Sequence, residues 1–570
     1  MTAQHQLTDR RRFLAYCSAI GLGGAVPELL WARAQDEGTI TKDMLAHAEA
    51  IAGVEFTDAE RELMLDGVNR NLRAYRQLHE TAIPNEVPPA LVFNPVVAGR
   101  TVPAGARRAR RTRPTTVLRP DRLEDVAFWP IADLAELIRG RQVSSVELTT
   151  MYLERLRRHG PKLECVITLT EDLALRQARR ADAELARGTY RGPLHGIPWG
   201  AKDLLAEDAY KTTWGAKPFQ DQHIDYDATV VRRLEDAGAV LVAKLTLGAL
   251  AWGDVWFGGQ TRNPWNTEQG SSGSSAGSAS ATVAGLVGFS IGSETLGSIV
   301  SPATRCGATG LRPTFGRVSR WGAMALSWSM DKLGPICRSV EDCALVLSAI
   351  YGPDGKDPTV QNVPFAWDSS VAITSLRIGY LKSAFEREPR NDRESGLAAF
   401  DRAALGVLQG LGVDLIPLEL SDEFPVGALN IILNAEAAAA FDELTRSGRD
   451  DELVRQIANA WPNVFRQSRL IPAVEYIQAN RVRTMIMHEM DAIMDGIDLF
   501  VTPSFAGTVL LTTNLTGHPA ISLPNGYTEN GSPVSLSFIG QLFREDVLLA
   551  AAKSYQDATG FHRRHPPAFA

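Results

Sequence analysis

The chain has 570 residues, 45% of them hydrophobic and 22% charged, which is enough apolar material to bury a large core and excludes a disordered polyelectrolyte. Its formal net charge of -7 argues against nucleic acid as a main partner. The five cysteines and ten histidines show no zinc-type spacing, so neither a metal nor a cofactor is expected.

In chain order, Asp9-Arg10-Arg11-Arg12-Phe13-Leu14 leads into an apolar stretch from Phe13 to Val26, and Ala32-Arg33-Ala34 supplies a small-x-small cleavage pattern. This predicts a twin-arginine export signal over 1–34 and a periplasmic or secreted protein. A basic N-terminus on a cytoplasmic protein is the alternative. The stretch is too short and glycine-rich for a span of about 20 residues, so no membrane span is expected. Cys165, Cys306, Cys337 and Cys343 remain after the signal and read as buried thiols.

A helical hairpin is predicted over 35–80. Its first helix, about Thr41 to Ala52, places Leu45, Ala48, Ile51 and Ala52 on one face. Thr57-Asp58-Ala59-Glu60 has the form of a capping box, and the second helix carries Met64, Val68, Leu72 and Tyr75 on one stripe. Two such helices make no core alone and must dock. Residues 81–125, Pro-rich and aperiodic, predict an extended arm over a main domain spanning 126–570. The basic run from Arg107 to Arg113 lies inside this arm, between prolines, and reads as a solvated linker. Residues 40–78 are similar, over a short helix-biased stretch, to the small subunit of the tRNA-dependent amidotransferase, whose helical hairpin and trailing arm wrap its amidase partner.

Three later segments carry the chemistry: GPLHGIPWGAKDLL (192–205), NPWNTEQGSSGSSAGSASATVAG (263–285) and GSETLGSIVSPATRCGATGLRPTFGRVS (292–319). Serines on glycine-rich turns and a lysine on a Gly-Pro turn are the parts of a nucleophile served by a nitrogen base without histidine. Glycines beside a serine also let backbone N–H groups turn inward, as an oxyanion site requires.

These segments, with LTGHPAISLP (515–524), resemble the amidase signature family of serine hydrolases from about Val126 to about Asp557. The resemblance implies an α/β fold: a single large domain with a central mixed β-sheet flanked by helices on both faces, the hairpin and arm being additions. It implies Lys202 as base, Ser274 as bridging serine after a cis peptide from Gly273, and Ser298 as acylating nucleophile. The backbone N–H groups of Thr295, Leu296, Gly297 and Ser298 are the implied oxyanion site. His195 and His518 are expected to be structural.

Several positions depart from the family pattern. Leu296 stands where glycine is usual, which requires either a negative φ or a re-aimed loop. Glu294 replaces the usual Asp, and Val300 and Ser301 occupy the places of a common arginine. Arg305, near in sequence, is the candidate partner for Glu294. With no cation visible there for a substrate carboxylate, and with Trp252, Trp256, Phe257, Trp321 and Trp328 near the motifs, a neutral or aromatic acyl group is expected. The predicted function is an amidase acting on a small-molecule neutral carboxylic amide, as a monomer or homodimer, with ester or carbamate cleavage as side activity. The alternatives are the glutaminase subunit of a tRNA-dependent amidotransferase and a non-catalytic binding protein on the same fold. The mostly helical stretch 421–478 has no assigned role.

Overall fold

The computed structural model describes residues 39–570 apart from 53, 82–90, 92, 98, 103–110, 113–116 and 389–390. The predicted export signal, Cys17 and all of the basic run except Arg111 and Thr112 therefore lie outside the described residues.

Eleven strands form one sheet: β1 (Val166–Leu169), β2 (Pro198–Lys202), β3 (Val240–Leu245), β4 (Phe289–Glu294), β5 (Thr309–Arg312), β6 (Lys332–Cys337), β7 (Ile378–Leu381), β8 (Leu415–Leu418), β9 (Leu499–Pro503), β10 (Ala520–Tyr527) and β11 (Pro533–Gly540). Their order is β1-β3-β2-β4-β6-β5-β10-β11-β9-β7-β8. The contacts β3·β2, β2·β4, β9·β7 and β7·β8 are parallel and the rest antiparallel, so the sheet is mixed, in the predicted single α/β domain. β3 reads Val-Leu-Val-Ala-Lys-Leu and is buried at every position. A continuous run instead of an alternating one marks a strand covered on both faces by helices.

The helices that matter to the site are α1 (Lys42–Ala52), α2 (Asp58–Glu80), α3 (Ser145–Leu163), α4 (Ala276–Val283), α5 (Val300–Cys306), α6 (Asn430–Ala440), α7 (Trp461–Ser468), α8 (Ala473–Asp495) and α9 (Val509–Thr516). α4 and α5 follow the two serine turns and pack on the centre of the sheet. No helix among the described residues is long and apolar enough to cross a membrane.

The second helix opens on the capping box that its sequence suggested. Thr57 Oγ1 accepts from the Glu60 N–H (3.3 Å), and Glu60 Oε2 accepts from the Thr57 N–H (2.6 Å), closing the capping box. Met64 and Val68 are buried with Leu45 and Phe56. The face of α1 is rotated from the expected one: Ile51 is 59% exposed, while Glu49 is buried. The reason is electrostatic, since Glu49 accepts from Arg61 Nε and Nη2 (2.9 Å each) and from the Phe56 N–H (3.1 Å), and so ties α1 to α2.

α2 then docks on α7 through one face. Glu60 pairs with Arg466 (2.9 Å), the Leu63 carbonyl accepts from Asn463 Nδ2 (2.9 Å), and Gly67 meets Gln467. A Cβ at Gly67 would lie 1.2 Å from Gln467 Oε1, so a larger residue there would displace the end of the Gln467 side chain. The described parts of the arm lie on the main domain. Phe93 packs edge-on against Phe315 (4.7 Å between centroids), and Arg100 bonds Asp491 and Asp495 (2.8 Å each) on α8.

Candidate functional site

Lys202 is the last residue of β2, a strand held between β3 and β4, and its side chain is fully buried. Its Nζ lies 2.8 Å from Ser274 Oγ, 3.0 Å from Ser275 Oγ and 2.9 Å from Ser293 Oγ. The neighbouring carboxylate is occupied elsewhere. Asp203 pairs with Lys244 (2.9 Å) and accepts from the Thr213 N–H (2.8 Å) and hydroxyl (2.5 Å). Lys202 is thus left among hydroxyls, and burial pushes its ammonium well below the ordinary lysine range, against weaker pulls from Asp331 and Glu294. The Ser275 hydroxyl donates to the Ser293 carbonyl (3.1 Å), so toward Lys202 it can only accept. Ser274 keeps its own proton free to give.

Ser274 follows a cis peptide from Gly273. Gly273 is packed so tightly that a Cβ there would lie 1.8 Å from the Gly253 carbonyl oxygen. Asp254 Oδ2 accepts from the Ser272 N–H (2.9 Å), fixing the same turn from behind. Asp254 thus braces the loop, and Trp252 beside it faces the cavity described below.

Ser298 lies on the turn between β4 and α5. Its carbonyl accepts from the Ser275 N–H (3.1 Å), which locks the two serine turns together. Among the described residues, the N–H groups of Thr295, Leu296, Gly297 and Ser298 have no acceptor. The next two, of Ile299 and Val300, donate to Glu294 Oε2 at 2.8 and 2.9 Å. The turn therefore presents successive free donors beside a serine hydroxyl, an arrangement suited to a developing oxyanion. Leu296 is absent from the positive-φ positions, and Gly297 (φ +82°) takes the left-handed conformation instead. The first of the two predicted resolutions holds.

Glu294 is paired differently from the sequence expectation. Its Oε1 accepts from Arg312 Nη1 (2.8 Å) and Asn514 Nδ2 (2.9 Å), all three side chains being buried. These donors and the two backbone N–H groups overcome the cost of burial and hold the carboxyl at about 2. Arg305 instead bonds Gln269 (3.3 Å) and lines a separate cavity of about 740 Å3 with Ser272, Ser301 and Phe505. His195 Nε2 lies 2.9 Å from the Ala181 carbonyl, and His518 Nδ1 lies 2.8 Å from Thr516 Oγ1. Burial pushes His518 down to about 3, so it stays neutral and structural. Among the described residues one carboxylate trio, Glu207, Asp208 and Asp227, has metal-like spacing, and none of its members belongs to the serine cluster.

Ser298, Gly273, Thr295 and Leu296 open onto a cavity of about 400 Å3. Its apolar wall includes Trp252, Leu326, Leu433 and Trp461; its polar wall includes Arg70, Asn71, Asn430, Asn434 and Gln467. The sequence pointed to neither the hairpin nor 421–478 as a source of site residues, yet α2, α6 and α7 form the polar wall. The only available signal was the requirement that the hairpin dock somewhere. Trp256 and Phe257 do not line this cavity, and Trp321 and Trp328 line a neighbouring one of about 450 Å3 that shares Thr295 and Leu326. Arg70 brings to the Ser298 cavity a cation that the expectation of a neutral acyl group did not include.

The profile of the Amidase family matches residues 147–549. Among curated proteins, a glutamyl-tRNA(Gln) amidotransferase subunit of Moorella thermoacetica is 34% identical over 478 residues, which is 76% of this chain and 97% of the relative. The protein of the same name from Methylococcus capsulatus is 34% identical over 77% of this chain and 99% of its own. Among solved structures, the native peptide amidase from Stenotrophomonas maltophilia superposes with a TM-score of 0.68 at 31% identity, over 78% of this chain and 99% of that one.

Proposed function

Since the chain belongs to the amidase family and is an enzyme of the type that cleaves amide C–N bonds, we propose that it hydrolyses a small-molecule carboxylic amide through an acyl-enzyme on Ser298. The observation that carries this reading is the buried Lys202 Nζ at 2.8 Å from Ser274 Oγ, on a turn bonded directly to that of Ser298. Ser298 Oγ attacks the amide carbonyl carbon and gives its proton to Ser274, which passes its own to the neutral Lys202 amine. The oxyanion forms against the free N–H groups of Thr295 to Ser298. Lys202 then returns a proton through Ser274 to the leaving nitrogen, the C–N bond breaks, and water hydrolyses the ester along the same relay.

The names of the curated relatives favour a second reading, the glutaminase subunit of a tRNA-dependent amidotransferase, more than they favour a free-standing amidase. Relatives named as parts of a larger enzyme likewise give no support to a monomer. One feature of the cavity favours the first reading: free glutamine carries an α-ammonium, and among the described residues no carboxylate lines the Ser298 cavity to receive it, although Arg70 would suit its α-carboxylate. The twin-arginine stretch supports it too, because export removes a protein from tRNA.

Incubation of the purified chain with a serine-directed fluorophosphonate and a panel of aryl, alkyl and amino-acid amides, free glutamine included, separates the readings. Labelling lost in Ser298→Ala, with turnover of amides lacking a free α-amine, is the expected result. Turnover of glutamine alone would replace the first reading by the second. Neither labelling nor turnover would leave the binding-protein reading.

A further inference from the structure

We propose that the substrate carries a carboxylate in its acyl portion, and that Arg70 of the N-terminal hairpin receives it at the mouth of the Ser298 cavity. This rests on the amidase reading above and names its substrate class.

The placement of Arg70 follows from the docking of α2. Glu60 to Arg466, the Leu63 carbonyl to Asn463 and Gly67 against Gln467 are successive steps of about one turn along the same helix face. The next step on that face is Arg70 and Asn71, and these two residues line the cavity. The hairpin's position is thus fixed by contacts separate from any role in binding, and the arginine is delivered by them.

The charge pattern says what Arg70 is suited to. Arg61 and Arg466, elsewhere in the same docked unit, are neutralised by Glu49 and by Glu60, Asp450 and Asp451. Arg70 has no hydrogen bond or ion pair with any described residue, and it is the one charged side chain among those lining the cavity. Arg455 stacks over Trp252 (4.6 Å), placing a second cation behind the cavity wall. Among the described residues that line the cavity, no carboxylate accompanies them. A guanidinium fork matches a carboxylate in two parallel hydrogen bonds, and Asn71, Asn430 and Asn434 offer amide groups beside it. The positions after the nucleophile that hold Val300 and Ser301 provide no cation, so the hairpin supplies from outside the main domain what the core lacks.

The test uses the full chain and matched leucinamides: acetyl-leucinamide as the neutral probe, and malonyl-, succinyl- and glutaryl-leucinamide as carboxylated ones of increasing reach. Values of kcat/KM are measured for wild type, Arg70→Gln and Arg70→Lys. Kd values are measured by calorimetry in a Ser298→Ala background, where turnover cannot interfere. Wild type is expected to prefer its best carboxylated probe by about tenfold, in KM and Kd instead of kcat, the preference shrinking with added salt. Arg70→Gln is expected to bring the ratio near one, and Arg70→Lys to keep part of it.

Equal or undetectable binding of all probes to the wild-type cavity, or a preference that survives Arg70→Gln, overturns the inference. Failure of the amidase reading looks different. In that case Ser298 takes no label and no amide is cleaved, while a discrimination in Kd that depends on Arg70 still upholds the carboxylate site.

Discussion

Lys202→Met is expected to lower kcat/KM by roughly 10²–10⁴-fold, the range for loss of a positioned general base, while Ser298 stays folded and in place. Methionine fills the volume of the lysine stem, so the loss measures the amine and not a collapsed strand. The wild-type pH profile carries the same information with a defined sign. Only the neutral amine accepts the proton of Ser274, and burial lowers the Lys202 pKa well below its ordinary 10.5. Activity should therefore rise with pH through a limb well below 10.5. Stability follows the same linkage. Between the folded and unfolded pKa values the unfolded chain binds a proton that the folded one does not, so stability rises with pH across that window. Lys202→Met removes this penalty and is expected to melt higher than wild type at neutral pH. A wild-type activity that begins only near pH 10, or a Lys202→Met enzyme of undiminished rate, contradicts the assignment.

Most of the candidate cluster was legible because its members sit in short local motifs. Lys202 ends a strand after a Gly-Pro turn, and Ser274 and Ser298 lie on glycine turns that begin helices. Local text fixes such turns wherever the chain later runs. Ser275 and Ser293, which complete the hydroxyl ring around Lys202, were inside the same motifs but carried no distinguishing signal. What could not be read was lateral. Glu294 ends β4 and Arg312 ends β5, and β6 lies between those strands in the sheet. Nearness along the chain favoured Arg305, but that side chain turns away from Glu294 and toward Gln269. The cavity wall failed in the same way. Arg70 and Asn71 on α2, Asn434 on α6 and Gln467 on α7 meet across three helices distant in sequence, and periodicity does not reveal a helix's partner.

The pairing that sequence nearness missed also carries a large stability effect. Arg312→Met is expected to destabilise the fold by about 3–5 kcal/mol, because it leaves Glu294 as an uncompensated buried charge. Arg312 donates to Glu294 Oε1 (2.8 Å), to Thr513 Oγ1 (2.9 Å) and to the His518 carbonyl (2.9 Å), so three elements loosen together. Lys332, opposite Glu294 in the ladder, is a poor substitute counter-charge, since burial and the Arg312 charge push its pKa well down. The contribution has a defined pH window. Glu294 titrates at about 2 in the fold against a reference of 4.5, so its stabilisation is fully present above 4.5 and is lost as pH falls toward 2. Urea denaturation between pH 2 and pH 7 should show wild type losing stability across that window. Arg312→Met should start lower at neutrality and lose less on acidification, because its Glu294 gains less from being ionised. The functional consequence is local to the nucleophile. Glu294 Oε2 holds the N–H groups of Ile299 and Val300, directly after the turn whose Thr295, Leu296 and Ser298 line the cavity. Slower fluorophosphonate labelling of Ser298 under conditions where Arg312→Met is still folded is therefore expected. Labelling at the wild-type rate would show that the turn keeps its shape without the ion pair beneath it.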